Sequence, residues 1–190
     1  MDYETMGLKD ELPINEVRRT NRAVNDEAWI KAFLHRAPFG VLGTEWQGQP
    51  FVKPTLYVYN EADRALYFHG ALEGRTRTNL EANPKASFCL SELGRLLPGK
   101  TATEFGIEYD SVVVFGKVVI VSDEAQAARA LQLLLDKYFP AYKPGQDYQP
   151  ALPEDVSQVT VYRFEIESWS GKQRQAPADF PGAFLYPNGG

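Results

Sequence analysis

The chain has 190 residues, of which 44% are hydrophobic and 13% aromatic; this suits one domain with its own core and is too apolar for a disordered chain. The formal net charge of −5 argues against partners such as nucleic acid or an anionic membrane surface. Cys89 is the only cysteine, which excludes an intrachain disulfide and a cysteine-rich zinc site.

The N-terminus is charged throughout, and no apolar run reaches the length of a membrane span. We therefore expect a cytoplasmic protein with no membrane partner. Residues 1–24 are polar and aperiodic, and we interpret them as an arm. A single domain is predicted over residues 25–174, and a tail rich in proline and glycine follows at residues 175–190.

The first helix is predicted to begin at Asn25 and to end before Pro38. Asn25 suits a helix cap, and Pro38 stops the helix because proline lacks an N–H donor. Apolar residues recur at helical spacing along one face of this segment: Trp29, Ile30, Phe33, Leu34 and Ala37.

Six strands are then predicted, mostly in hairpin order. Gln47-Gly48 is a hairpin turn signal between the first two strands. The six segments are residues 39–46, 49–60, 64–70, 85–93, 109–122 and 157–171. This order favours a mainly β, α+β fold built as an antiparallel barrel, rather than a parallel α/β sheet.

Two further helices are predicted between these strands. A short one ends near Asn83, and a longer one begins at Ser122 or Asp123. The longer helix has the clearest helical period in the chain, carried by Ala127, Ala130, Leu131, Leu134 and Tyr138. After the last strand we predict a tight turn directly behind Trp169, whose indole either closes over a planar ring or plugs the core.

The segment "LYFHGALEGRTRTNLEANP", residues 66–84, passes abruptly from a strand to a helix. A helix start carries unpaired N–H groups and the positive end of the helix dipole, so it attracts anions. Gly74 permits close backbone approach, and Arg75 offers a planar fork that suits phosphate oxygens. "EGRTRT" therefore indicates a phosphate site. The alternative is a pair of solvated arginines beside a threonine that only caps the helix.

His69 ends the third strand, directly before Gly70. A histidine in this position can line a pocket and donate a proton. The alternative is a partly buried ring that is hydrogen-bonded to the backbone. The only other histidine, His35, is not spaced from His69 as metal ligands are, so no metal site is predicted.

Four segments resemble, in this order, the flavin-binding split β-barrels related to pyridoxamine phosphate oxidase: "GQPFVKPTLYVYN", "LYFHGALEGRTRTNLEANP", "YDSVVVFGKVVIV" and "FEIESWSGK". Within that superfamily, "SELGRLLPG", "YDSVVVFG" and "VYRFEIESWSGK" are similar to segments of the nitroimidazole-resistance (Nim) proteins. The resemblance covers about residues 18–174. It implies a six-stranded antiparallel split β-barrel with flanking helices, forming a homodimer with two FMN sites that are each built from both subunits.

The resemblance also implies which residues hold FMN. The ring edge is expected at His69 and Gly70, and the phosphate at Arg75 and Thr76. The other implied FMN contacts are Lys53, Pro54 and Thr55 on one strand, Ser111 at the phosphate, Trp169 near the ring, and Lys172.

Three departures from the oxidases are visible in the sequence. Thr76 stands where the oxidases have a basic residue, and Lys53 stands where they have arginine, which removes a bidentate donor. "SGKQRQAP" replaces the histidine-arginine pair that binds their phosphorylated vitamin substrate. Vitamin B6 oxidation is therefore not expected.

Together these features predict an FMN-dependent oxidoreductase of the nitroimidazole reductase type. Flavin would deliver hydride to an electron-poor small molecule, and His69 would be the catalytic residue that orients or protonates it. One alternative is a non-catalytic protein that binds flavin or haem on the same scaffold, with His69 as an axial haem ligand. Another is a reductase that uses a deazaflavin in place of FMN.

Overall fold

The computed structural model describes residues 13–186, with residues 153–155 described by their backbone alone. The helices of this part are α1 (Glu27–Arg36), α2 (Arg75–Ala82) and α3 (Glu124–Tyr138), with 3₁₀ turns at Thr20–Arg22 and Pro153–Gln158. The strands are β1 (Ala23–Val24), β2 (Gly40–Trp46), β3 (Gln49–Thr55), β4 (Val58–Asn60), β5 (Ala65–Gly70), β6 (Lys85–Leu97), β7 (Gly106–Ile120), β8 (Thr160–Arg174) and β9 (Phe184–Leu185). Over the described residues, every helix is too short or too polar to cross a membrane.

The strands form one antiparallel sheet that stays open. Its main path runs in the order β3-β2-β6-β7-β8-β5-β4, and β1 and β9 add to β8 and β6 at the sides. Every pair between these strands is antiparallel. The predicted mainly β, α+β fold with an antiparallel split β-barrel and flanking helices is confirmed.

The described residues form nine strands instead of the six predicted, because residues 49–60 form two strands and the short strands β1 and β9 are added at the two ends. The N–H of Tyr57 donates to the hydroxyl of Tyr138 at 3.0 Å, so the chain leaves the strand ladder between β3 and β4. The hairpin turn between β2 and β3 is confirmed: Gln47 and Gly48 have φ values of 54° and 77°. Two positive φ values are typical of the type I′ turn, which matches the twist of a hairpin.

The tight turn predicted behind Trp169 is wrong, because β8 continues to Arg174. Gly171 lies inside this strand and faces β1, where its Cα partner is Val24. A Cβ on Gly171 would lie 2.9 Å from the carbonyl oxygen of Val24. The glycine is therefore needed for the close approach of β1.

Carboxylates cap the two longer helices. Asp26 accepts hydrogen bonds from the N–H groups of Ala28 and Trp29, so α1 begins one residue later than predicted, and it ends before Pro38 as expected. α3 begins directly after Asp123, one of the two predicted starts. An acidic cap satisfies free N–H groups and opposes the positive end of the helix dipole.

Two hydrophobic cores lie on opposite sides of β5. Leu66 and Phe68 belong to the main core, inside the sheet and against α1. Ala65 and Tyr67 belong to a second core under α3. β5 is therefore buried on both of its faces, and this fixes the direction in which the strand ends.

The two ends of the described chain also join the sheet. β1 lies within the predicted arm, and β9 lies within the predicted tail. Arg95 holds the tail: it pairs with Glu108 at 2.7 and 2.8 Å and donates to backbone carbonyls of residues 176–178. The hydrogen bonds from Arg95 lower the pKa of Glu108 to about 2.

The position of α2 depends on a buried hydrogen bond from Asn79 Nδ2 to Thr44 Oγ1, 2.9 Å long. Asn79→Ala should lower the free energy of unfolding by about 1–3 kcal/mol, because Thr44 then loses its partner in a buried site. Urea unfolding measures this change. Thr78→Ala, on the exposed side of the same helix, is the control, and its effect should stay within about 0.5 kcal/mol. Equal losses in the two variants would contradict this view of α2.

Candidate functional site

The site begins where β5 emerges from between the two cores. Side chains alternate along a strand. His69 therefore lies on the face of β5 that packs under α3, and Gly70 lies on the face that packs in the main core. A Cβ on Gly70 would lie 3.5 Å from the Tyr162 ring and 3.9 Å from Lys53 Nζ. The end of β5 therefore places an imidazole on one side and a lysine ammonium on the other.

The start of α2 lies a few residues further along the chain. Gly74 caps this helix with a φ of +129°, and no side chain accepts a hydrogen bond from the helix start. A Cβ on Gly74 would meet no atom within 4 Å, so the space in front of the helix is open. Free N–H groups facing open space are what an anion needs at a helix start.

Two cations stand beside this helix start without a carboxylate partner. The guanidinium carbon of Arg75 lies 5.7 Å from the centroid of the Phe51 ring, and Lys53 follows Phe51 on the same face of β3. Within residues 13–186, neither Arg75 nor Lys53 forms a salt bridge. We name this set the β5–α2 corner; its members are Phe51, Lys53, His69, Gly70, Gly74 and Arg75.

Arg77, two residues beyond Arg75, is already engaged elsewhere. Its Nε donates to Glu81 at 2.7 Å, and its Nη1 donates to the carbonyl of Leu72 at 2.8 Å and to Thr160 Oγ1 at 3.3 Å. These contacts tie α2 to its own chain. Arg77 therefore supplies no free charge to the corner.

A cavity of about 530 Å³ opens on the α3 side of His69. Leu56 forms one wall, and the loop residues Gln149 and Ala151 form another. The remaining wall is the C-terminal half of α3, with three leucines, Tyr138 and the capping residue Phe139. We name this cavity the α3 pocket, and its lining is largely apolar.

Hydrogen bonds fix the α3 wall to the rest of the chain. The Tyr138 hydroxyl donates to the carbonyl of Pro38 at 2.7 Å and accepts from the N–H of Tyr57 at 3.0 Å. Lys137 Nζ donates to the carbonyl of Ala37 at 3.0 Å. Burial lowers the pKa of Lys137 to about 8. Both side chains hold the end of α3 against the end of α1.

The loop wall is fixed from α3 as well. Gln132 Nε2 donates to the hydroxyl of Tyr148 at 2.6 Å, and Gln132 Oε1 accepts from the N–H of Ala151 at 3.4 Å. One glutamine therefore holds both ends of the segment that carries Gln149. Hydrogen bonds within the chain therefore position this wall of the pocket.

Partial burial of the His69 ring lowers its pKa below the usual 6.5, and the nearby charge of Lys53 lowers it further. His69 is therefore neutral at pH 7, with one ring N–H to donate and one ring nitrogen to accept. Across residues 13–186 no three His, Cys, Asp or Glu side chains gather as metal ligands would.

The residues predicted on β3 divide between its two faces. Lys53 faces the corner, whereas Pro54 is exposed on the opposite face. Thr55 is buried, and its hydroxyl donates to the carbonyl of Lys53 at 3.2 Å. Thr76 is half-buried in the first turn of α2. Of these four, Lys53 and Thr76 carry the polar groups that face the corner, whereas the Thr55 hydroxyl is engaged within its own strand.

The other predicted residues lie on distant strands. Ser111 and Lys172 are Cα partners across β7 and β8, and Ser111 is three strands from β3, roughly 14 Å along the sheet. Trp169 faces the other side of β8, where it packs against the main core under the guanidinium of Arg64 at 4.5 Å. This packing agrees with the second of the two interpretations of Trp169, an aromatic side chain that fills the core. Within one chain these three residues are not part of the corner.

Sequence reasoning missed Phe51, Leu56 and Gln149. Phe51 was detectable, since residues two apart on a strand share a face and it precedes Lys53 by two. The apolar stripe of α3 is also wider than a single packed face needs, which indicates a second contact surface. The loop that carries Gln149 has no regular period, so its contribution could not be predicted.

The lowered pKa of His69 has a consequence for stability. The unfolded chain binds a proton more readily than the folded chain at this position, so the free energy of unfolding falls as the pH drops through the range below 6.5. His69→Gln removes this titration. We expect the loss of stability between about pH 7.5 and about pH 5.5 to be smaller in the variant, as measured by urea unfolding. An equal loss in both proteins would contradict the lowered pKa of His69 in the folded chain.

Known structures share this fold. The flavocytochrome Anf3 from Azotobacter vinelandii is 26% identical, with a TM-score of 0.72 over 86% of this chain and 74% of that chain. A FAD-binding protein from Mesorhizobium loti is 25% identical, with a TM-score of 0.58 over 81% of this chain and 98% of that chain. A candidate 5-nitroimidazole antibiotic resistance protein from Bacteroides thetaiotaomicron is 23% identical, with a TM-score of 0.65 over 80% and 86% of the two chains. The last of these likenesses shows the fold alone.

No curated protein matches the sequence. A family model does, the one described as pyridoxamine 5'-phosphate oxidase, and it matches residues 26–173. That match extends from α1 to the end of β8 and includes the β5–α2 corner. The chain therefore belongs to the pyridoxamine 5'-phosphate oxidase family.

Proposed function

We propose that the protein is an FMN-dependent reductase that transfers hydride from flavin to an electron-poor small molecule, such as a nitro compound. The observation that carries this proposal is the open start of α2, where free N–H groups and two unpaired cations converge. In a chain with a formal net charge of −5, such a concentration of positive charge favours an anionic ligand.

The residues of the corner fit the phosphate end of FMN. The first N–H groups of α2 can donate to phosphate oxygens. The planar guanidinium of Arg75 can add two parallel, charge-assisted hydrogen bonds. Lys53 adds a second positive charge from the side of β3. Together they compensate for the missing basic residue at position 76.

The end of β5 fits the flat part of a flavin. Gly70 leaves the strand backbone uncovered beside Lys53, so a ring can approach without meeting a side chain at that position. When bound, flavin supplies the hydride chemistry, and the protein supplies binding, orientation and electrostatics. Lys53 is suited to stabilise negative charge on the ring system.

His69 is suited to hold the substrate. Because its imidazole is neutral at pH 7, its N–H can donate to an acceptor oxygen of a nitro or carbonyl group. The same N–H is a source for the proton that reduction requires. His69 lines the α3 pocket and directly precedes Gly70, so it is placed next to both bound molecules.

The flavin class is supported by two solved structures, the flavocytochrome Anf3 at 26% identity and the FAD-binding protein at 25% identity. The choice of FMN, and of a nitro-type substrate, rests on the sequence segments that resemble the Nim proteins.

The remaining site residues are assigned to a second copy of the chain. Ser111, Trp169 and Lys172 lie too far from the corner to contact the same ligand within one chain. A homodimer in which β7 and β8 of one subunit approach the corner of the other would bring Ser111 and Lys172 to the flavin. Trp169 would first have to leave its position under Arg64.

Arg75→Ala should weaken FMN binding by about 10- to 150-fold, because it removes a charged hydrogen-bond donor that contributes about 1.5–3 kcal/mol. Quenching of flavin fluorescence during titration measures the affinity. The matched control is Arg77→Ala, which removes a guanidinium from the same helix, one that is bound to Glu81 instead of facing the open space. Unchanged FMN affinity in Arg75→Ala would show that the phosphate binds elsewhere.

Haem binding is a second candidate function, favoured by the apolar α3 pocket with a neutral imidazole at its edge. Titration with haemin should then produce a Soret band that His69→Ala removes and His35→Ala retains. A spectrum without this band removes the candidate. Mass spectrometry of the cofactor released by denaturation separates FMN from a deazaflavin.

A further inference from the structure

We infer that the α3 pocket is the substrate compartment, and that its occupant has an apolar body larger than a single ring with one accepting or anionic group at the His69 end. This inference rests on the proposed function, since it names the substrate class of the same site. The inference narrows the substrate class of the proposed reductase, because a small polar heterocycle would leave most of the pocket unfilled.

The size of the pocket sets the size of the occupant. Its volume is about 530 Å³. Pockets of about 300–1,000 Å³ hold drug-sized ligands, in which several rings or a long hydrocarbon chain are buried. A cavity on the other flank of α3 measures about 310 Å³ and contains Asp63 and Arg129, so the larger apolar volume is confined to the His69 side.

The chemistry of the lining sets the polarity of the occupant. Among the residues whose side chains the structure describes, those that line the pocket carry no charge, and leucines make up much of its walls. The Tyr138 hydroxyl is already used by Pro38 and Tyr57. His69 and Gln149 are left as the side chains that can donate a hydrogen bond to a ligand. The rest of the pocket is apolar, so a ligand gains most binding free energy there by burying apolar surface.

The charge beside the pocket sets the orientation of the occupant. Lys53 Nζ lies 3.9 Å from the position that a Cβ would take on Gly70, the residue next to His69, so the positive charge lies at the end of the pocket that His69 lines. An accepting or anionic group is stabilised there, whereas the apolar body lies along α3. This orientation presents the polar end of the molecule to the bound flavin.

Hydrogen bonds within the chain hold the walls of the pocket in place. Gln132 fixes the loop that carries Gln149, and Tyr138 fixes the end of α3. A pocket that is already formed loses little conformational freedom on binding. Apolar molecules should therefore bind to the resting protein without prior rearrangement.

The test uses two dyes that share the same rings. N-phenyl-1-naphthylamine is neutral, and 1-anilinonaphthalene-8-sulfonate carries an added sulfonate. Calorimetric titration of the FMN-loaded protein should show one site per chain for each dye, with tighter binding of the sulfonate. That preference should weaken as salt is added, because Lys53 and His69 lie near the surface.

Matched variants locate the dye. Leu56→Gln should weaken both dyes about tenfold, because an apolar contact with the ligand is replaced by a polar group. Leu93→Gln is the control: the exposed fractions of Leu56 and Leu93 are 55% and 56%, and Leu93 lies outside the pocket. Phe139→Gln and Phe105→Gln form a second pair, with exposed fractions of 53% and 61%.

The outcomes separate this inference from the proposed function. Failure of the protein to take up FMN would remove the proposed function, and the same titrations on flavin-free protein would still test the pocket. Binding to flavin-free protein that FMN abolishes would overturn the inference, because the flavin would then fill the pocket. Absence of dye binding, or equal effects of Leu56→Gln and Leu93→Gln, would overturn it as well.

Discussion

The double burial of β5 is the constraint on which the site depends. A strand packed on one face can shift or twist at its end, but β5 is held between the barrel core and α3. His69 and Gly70 therefore leave the strand in opposite, fixed directions. The flavin position and the substrate position proposed here meet beyond this one strand end.

A second feature is the concentration of unpaired positive charge next to an open helix start. Arg95 and Arg36 are neutralised by carboxylates, and Arg77 is paired with Glu81. Arg75 and Lys53 lack such partners among residues 13–186, although the chain has more acidic than basic residues. Both lie beside Phe51, Arg75 over its ring and Lys53 on the same face of β3, so their positive charges are available to one anionic ligand.

The sequence predicted the elements that rest on local signals. Hairpin signals such as Gln47-Gly48 and the helical period of α3 identified most of the fold, and the glycine-led start of α2 is the local signal from which the anion site is predicted. The errors arose where long-range contacts override local signals. Gly171 is a residue type that is common in turns, but here it lies inside β8, where the absence of a side chain lets β1 approach closely. Likewise, Tyr57 leaves the strand because a tyrosine far along the chain accepts its N–H.

The pocket could not be predicted for the same reason. It joins Leu56, the end of β5, the far half of α3 and an irregular loop, and these segments meet only in three dimensions. Ser111, Lys172 and Trp169 present a different problem, since their implied role requires a second subunit. The sequence predicts the part of the site that one strand-to-helix segment carries, and that part stays a prediction.

The central claim is that a phosphate group binds at the start of α2. It is tested most directly by comparing FMN with riboflavin, which has the same ring system and no phosphate, in ¹H–¹⁵N correlation spectra of the labelled protein. We expect FMN to shift the amide signals of Arg75, Thr76 and Arg77 strongly and riboflavin to leave them nearly unchanged, while both ligands shift the signal of Gly70. If FMN leaves the α2 amides unchanged, or if riboflavin shifts them equally, the phosphate does not bind there.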